Sequence, residues 1–182
     1  MPKFLYIHGL NSDATSRKYL SLKTYFRDEF IFDCLEWKNE DAISELLDQA
    51  ELKLKKETNP IIFGDSTGAN FAWQLRERRL EKNQKTILIL SSPLLNINQR
   101  IADFEFPESL IPYMEVIENP KDTLIIASEN DEIIAMDHLF RSEYEKNFEL
   151  LKAEDSHRLN HFKTYLPEIR NYVENQRCFH NS

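Results

Sequence analysis

Six short apolar runs recur along the chain: "KFLYI" from Lys3, "FIFDCL" from Phe30, "PIIF" from Pro60, "TILIL" from Thr86, "TLIIA" from Thr123 and "FELLKA" from Phe148. Near-continuous apolarity over about five residues marks strands whose two faces are both covered, as in a parallel sheet. Between them lie stretches with apolar residues three and four apart, from Ser16, Asp41, Asn70, Met136 and Asn160. That spacing predicts amphipathic helices. The alternation predicts an α/β fold: an open, mostly parallel sheet of about six strands with helices on both faces. A chain of 182 residues fits one domain, 1–182. One segment breaks the rhythm. From Leu94 to Pro120 the chain holds three prolines and mixed aromatics, longer than an αβ connection requires. It reads as a lid-like excursion over the strands' carboxyl ends or as an irregular helix pair on the sheet's face.

The formal charge of −8 argues against nucleic acid and anionic membranes as partners, because both attract through Lys and Arg. A small neutral or cationic molecule is the easier partner. Cys34 and Cys178 have no CxxC spacing, so neither a disulfide framework nor a thiolate metal site is expected, and a reducing cytoplasm suits them. The start "MPKFLYIHGL" lacks the layout of a signal peptide, and no apolar run reaches the length of a membrane span.

Open α/β sheets bind ligands at the carboxyl ends of their strands. There the chain places "HGLNS" after the first run, "GDSTG" after the third, "SENDE" after the fifth and "EDSH" after the last. Serine, acid and histidine thus follow one another in the order of α/β-hydrolase triads. Gly64 and Gly68 flank Ser66 as a nucleophile elbow requires, and the chain has only three glycines. With so few, a G-x-S-x-G match arises in roughly a few of every thousand shuffled chains. The alternative is a turn whose glycines ease packing and whose Ser66 caps the next helix.

A serine hydroxyl needs a base. His157 follows the final run in a polar loop, with His161 second; His8 lies in a turn, His138 in a helix and His180 in the C-terminal tail. Of the acids in "SENDE", Asp131 is preferred over Glu129 and Glu132, and a helix cap is its structural alternative. Oxyanion donors are expected from the backbone N–H groups of Thr67 and Leu10, the latter presented by a turn at Gly9. Asn11 or Ser12 offers a further side-chain donor, and Ser12 or Ser16 caps the first helix. No phosphate-binding loop is present, because Ala69 stands where a Lys is needed, and "HRLNH" lacks the glutamate of a zinc motif.

The stretches "FLYIHGLNSDATSRK", "GDSTGANFA", "SSP", "NDEII" and "DSH" resemble the small α/β-hydrolase-fold esterases of the YqiA/YcfP family, in order over nearly the whole chain. The resemblance implies a serine hydrolase acting on esters, without metal or organic cofactor, whose triad falls on Ser66, Asp131 and His157. The chain departs from that family at Ala69, Asn130, Glu154 and Asp155, where the relatives carry glycine. The resulting expectation is a carboxylesterase or thioesterase. An amidase or peptidase with the same triad, or a noncatalytic binding protein on this fold, are the rivals. Phe104, Phe106, Tyr113 and Met114 either line an acyl pocket or pack in the core.

Overall fold

The computed structural model describes residues 1–141 and 147–179. All six apolar runs are strands: β1 (Lys3–Ile7), β2 (Ile31–Leu35), β3 (Ile61–Asp65), β4 (Ile87–Ser91), β5 (Thr123–Ser128) and β6 (Glu149–Ala153). They form one parallel sheet in the order β2-β1-β3-β4-β5-β6. The helices are α1 (Arg17–Tyr25), α2 (Ile43–Leu54), α3 (Thr67–Glu81), α4 (Asp137–Phe140) and α5 (Leu166–Phe179). The helix expected from Met136 is therefore short, and its continuation through 142–146 lies outside the described residues. Among the described residues no helix is long and apolar enough to cross a membrane.

Side chains alternate along each strand, so the sheet feeds two cores. Leu5, Ile7, Ile62, Leu88 and Leu90 pack with Leu47 of α2 and Phe71 and Leu75 of α3. Phe4, Tyr6, Phe63, Ile89 and Ile126 pack with Leu22 of α1 and Ile169 and Val173 of α5. Placing α1 on one face and α2 and α3 on the other is what right-handed crossovers demand of this strand order, and α5, after the last strand, packs beside α1.

The order also fixes where a ligand can sit. After β1 the chain moves outward to β2, then returns to lay β3 on the other side of β1. The loops after β1 and β3 therefore leave the sheet in opposite directions, and a crevice opens between them. "HGLNS" and "GDSTG" both end there.

The segment from Leu94 to Pro120 holds two 3-10 turns, Ile97–Gln99 and Glu108–Tyr113, and no α-helix. Pro112 lies inside the second turn, where a continuing helix would lose an N–H. The buried Asn70 of α3 fastens the segment's two ends together: its amide donates to Leu94 O (3.0 Å) and Glu115 O (2.9 Å), and its oxygen accepts from Glu115 N (3.0 Å). Phe106, Tyr113 and Met114 pack against the core; Phe104 is half exposed.

Candidate active site

Ser66 stands between β3 and α3 with φ 53° and ψ −117°, a conformation that costs a non-glycine residue about 1–3 kcal/mol. It occupies the N-cap position of α3, yet its hydroxyl does not cap the helix. Instead Ser66 Oγ lies 3.0 Å from His157 Nε2. The backbone holds that geometry from both sides: Ser66 N–H donates to Ser91 O (2.9 Å), and Ser66 O accepts from Ala69 N (3.0 Å) and Leu94 N (3.1 Å).

The glycines serve space, not backbone freedom, since none adopts a positive φ. A Cβ on Gly68 would lie 2.2 Å from His8 O, and one on Gly64 2.5 Å from Ala69 Cα. Helix α3 can approach β1 and β3 only because both are bare. Gly9 is a correction to the expected turn: its Cβ would meet Asp65 O and Ser66 Cβ at 3.2 Å, while Asn11 is the residue that turns the loop, at φ 57°.

His157 Nδ1 lies 2.8 Å from Asp131 Oδ2, whose carboxylate is buried. Nδ1 therefore donates to the acid, and Nε2 is left to accept from the Ser66 hydroxyl. Asp131 is itself fixed, because Oδ1 accepts from Ile133 N (2.9 Å) and Ile134 N (2.8 Å). Asp131 does not cap α4, whose N-cap is Met136; its N–H bonds close the turn after β5 and share the carboxylate with the histidine contact. The two other acids of "SENDE" are used elsewhere: Glu129 pairs with Lys152 at 2.6 Å, and Glu132 Oε2 accepts His157 N–H at 3.0 Å.

The histidine loop is built by residues that sequence reasoning passed over. Asp155 accepts N–H bonds from Ser156 (2.8 Å), Asn160 (2.8 Å) and His161 (2.7 Å). Burial pushes the Asp155 carboxyl upward, but these donors hold it below the usual range. Arg17 of α1 donates to Arg158 O (3.1 Å) and Leu159 O (3.2 Å), and Ser92 Oγ donates to His157 O (2.9 Å). Asp before a polar pair in "DSH" was a legible turn signal; the long-range Arg17 and Ser92 contacts had none.

The other described histidines have different partners. His161 is exposed, and its ring reaches Asp155. His138 is near Gln99 at 3.3 Å, and burial lowers its pKa. His180 lies outside the described residues. His8 is buried: Nδ1 donates to Gly9 O (2.8 Å), Nε2 accepts from Trp37 N (3.1 Å), and the ring stacks on Trp37. Burial depresses its pKa, which keeps this imidazole neutral.

Above Ser66 opens a cleft of about 560 Å³. Leu10, Asn11, Thr67 and His157 border it beside the serine, so the two residues expected to supply the oxyanion donors line the same cleft. Leu94, Phe104, Ile133 and Ile134 supply an apolar wall. Ser12 is not among the lining residues; Ser16 caps α1, accepting from Tyr19 N. Asp65, beside Ser66, turns away into a partly buried ion pair: Lys18 Nζ is 2.6 Å from its Oδ1, and Tyr6 O–H donates to Oδ2 at 3.4 Å. No group of three His, Cys, Asp or Glu side chains disposed to hold a metal occurs among the described residues.

The backbone resembles known structures over nearly its whole length. Est1E from Butyrivibrio proteoclasticus superposes with a TM-score of 0.72 at 16% identity, covering 97% of this chain and 88% of that one. Mouse α/β hydrolase domain-containing protein 10 gives 0.71 at 13%, covering 96% and 90%. One of the metagenome-derived lipolytic enzymes LipS and LipT gives 0.71 at 14%, covering 95% and 93%. The chain has the α/β-hydrolase fold. No family model and no curated protein matches the sequence. In this α/β-hydrolase fold the strand ends deliver Ser66, Asp131 and His157 to one point.

Proposed function

We propose that the chain is a serine hydrolase that cleaves a carboxylic ester or thioester of a small molecule through an acyl-enzyme. One observation carries this reading: an N-cap serine in a strained left-handed conformation gives its hydroxyl to a histidine that is itself held by a buried aspartate. Structural neighbours with hydrolase and lipolytic descriptions, and the motifs shared with the YqiA/YcfP esterases, support it.

In the proposed reaction Ser66 Oγ attacks the substrate carbonyl carbon while His157 Nε2 takes its proton. The carbonyl electron pair moves onto oxygen, which accepts from the Thr67 and Leu10 N–H groups; the first of these stands at the positive end of α3. Collapse breaks the bond to the alcohol or thiol, which leaves with the proton from His157. Water then repeats the cycle on the acyl-enzyme, releasing the acid and restoring Ser66. Asp131 keeps the proton on Nδ1 and balances the imidazolium. These steps draw on no metal or organic cofactor, and a cytoplasmic site of action accords with the two unpatterned cysteines.

A fluorophosphonate probe followed by mass spectrometry tests this directly. Modification of Ser66 in the wild type, absent in Ser66→Ala, is the expected result; a folded wild type that stays unlabelled overturns the proposal.

A further inference from the structure

The cleft over Ser66 is lined by two guanidinium-bearing residues, Arg100 and Arg158, against one carboxylate, Glu132. That carboxylate already accepts the His157 N–H. Among the described residues neither arginine forms an ion pair. The surplus is positive in a chain whose net charge is −8, so it runs against the average surface.

Arg100 is also placed with precision. Its guanidinium lies 4.8 and 5.2 Å from the ring centroids of Phe104 and Phe106 and donates to Phe104 O at 3.0 Å. Its backbone bridges Ile134 in antiparallel fashion, flanked by Ile101 N to Ile133 O (2.9 Å) and Ala135 N to Gln99 O (2.8 Å). Ile133 and Ile134 are the residues whose N–H groups bind Asp131. Arg158 directly follows His157, and Arg17 holds its carbonyl. Each arginine therefore rides on backbone that also positions the acid or the base.

A planar, stacked guanidinium with donors left over is suited to bind a carboxylate or phosphate in bidentate fashion. We infer that the substrate is an anionic ester, carrying a carboxylate or phosphate on its acyl or leaving group, with Arg100 as its first anchor and Arg158 as its second. This rests on the serine-hydrolase reading and departs from the expectation of a neutral or cationic partner.

The test compares p-nitrophenyl hemisuccinate with p-nitrophenyl butyrate for an anionic acyl group, and 4-carboxyphenyl butyrate with phenyl butyrate for an anionic leaving group. Inhibition by succinate against inorganic phosphate separates the two anions. The wild type is expected to favour the anionic ester of at least one pair in kcat/KM, and Arg100→Gln to lower that anionic-to-neutral ratio by about 10–100-fold, as loss of a charge-assisted bond implies. Arg158→Gln, a change at an exposed side chain, is expected to lower the ratio less. A wild type that prefers the neutral ester of both pairs, or ratios that neither substitution moves, overturns the inference while Ser66 labelling still stands. Absence of Ser66 labelling removes the hydrolase reading, and this inference with it.

Discussion

Two aspartates lie near Ser66, a half-buried Asp65 and a buried Asp131, and they are held in opposite ways. Asp65, the last residue of β3, gives one oxygen to Lys18 Nζ and the other to Tyr6 O–H, and Lys18 also donates to Ser91 Oγ at 3.1 Å. Asp131, in the turn after β5, gives one oxygen to two backbone N–H groups and the other to His157. The first is closed by a permanent cation and ties β3 to α1. The second faces His157, the group that takes and returns the Ser66 proton in the proposed reaction. Residue type does not separate the two carboxylates; the partner does, a lysine for Asp65 and the proposed base for Asp131.

The largest effect expected from this contrast is on turnover. Asp131→Asn leaves the turn bonds at Oδ1 possible but removes the acceptor that holds Nδ1–H, and kcat is expected to fall by about 10⁴, the loss seen for the corresponding change in a well-studied triad. Asp65→Asn is expected to cost kcat far less and stability more. Equal losses of kcat in the two variants would erase the distinction. Steady-state assays beside urea unfolding measure both quantities.

Next in size is the ion pair itself. Lys18→Met leaves the Asp65 charge buried without its partner and is expected to destabilise the fold by about 3–5 kcal/mol in urea unfolding. In the double variant Lys18→Met/Asp65→Leu, with both charges gone, most of that loss is expected to return. A double variant as unstable as Lys18→Met alone would assign the cost to packing.

The smallest effect concerns the buried His8. His8 has its pKa depressed by burial, so between its folded value and the unfolded value near about 6.5 the unfolded chain binds more protons. Its contribution to stability is therefore present at neutral pH, is lost as pH falls through about 6.5, and levels off below the folded value. Unfolding free energies between pH 5 and 8 are expected to show a shallower acid loss in His8→Asn than in the wild type. Identical slopes would mean that His8 is not the group responsible.

The same pair of aspartates shows what a sequence discloses. The contact of Asp131 with His157 was legible from strand ends and chain order, though "SENDE" also offered Glu129 and Glu132. The strands were legible because the four inner ones are almost wholly apolar and buried, while β2 and β6 at the edges keep apolar residues beside exposed polar positions. Asp65 was not, since its partner lies 47 residues earlier in a helix whose lysine looks like one more solvated cation. The pairing of Arg100 with Ile134 was hidden for the same reason: it joins two irregular segments by backbone alone, and backbone bonds leave no mark on residue type. Helix α4 illustrates the converse, an amphipathic pattern from Met136 of which only Asp137–Phe140 is a helix within the described residues.

Among the described residues, eight non-glycines adopt positive φ, and five of them are Asn or Asp, the types that bear it most cheaply. The other three are Ser66, Ser92 and Leu159. Ser66 is the nucleophile of the proposed chemistry, Ser92 holds the His157 carbonyl, and Leu159 turns the loop just beyond it. Backbone tension is thus unevenly distributed: tolerant residues carry it elsewhere, Asn11 beside the cleft included, and less tolerant ones carry it where three strand ends meet. Any change that let this corner relax would trade a steadier fold for a serine and histidine that no longer meet at 3.0 Å.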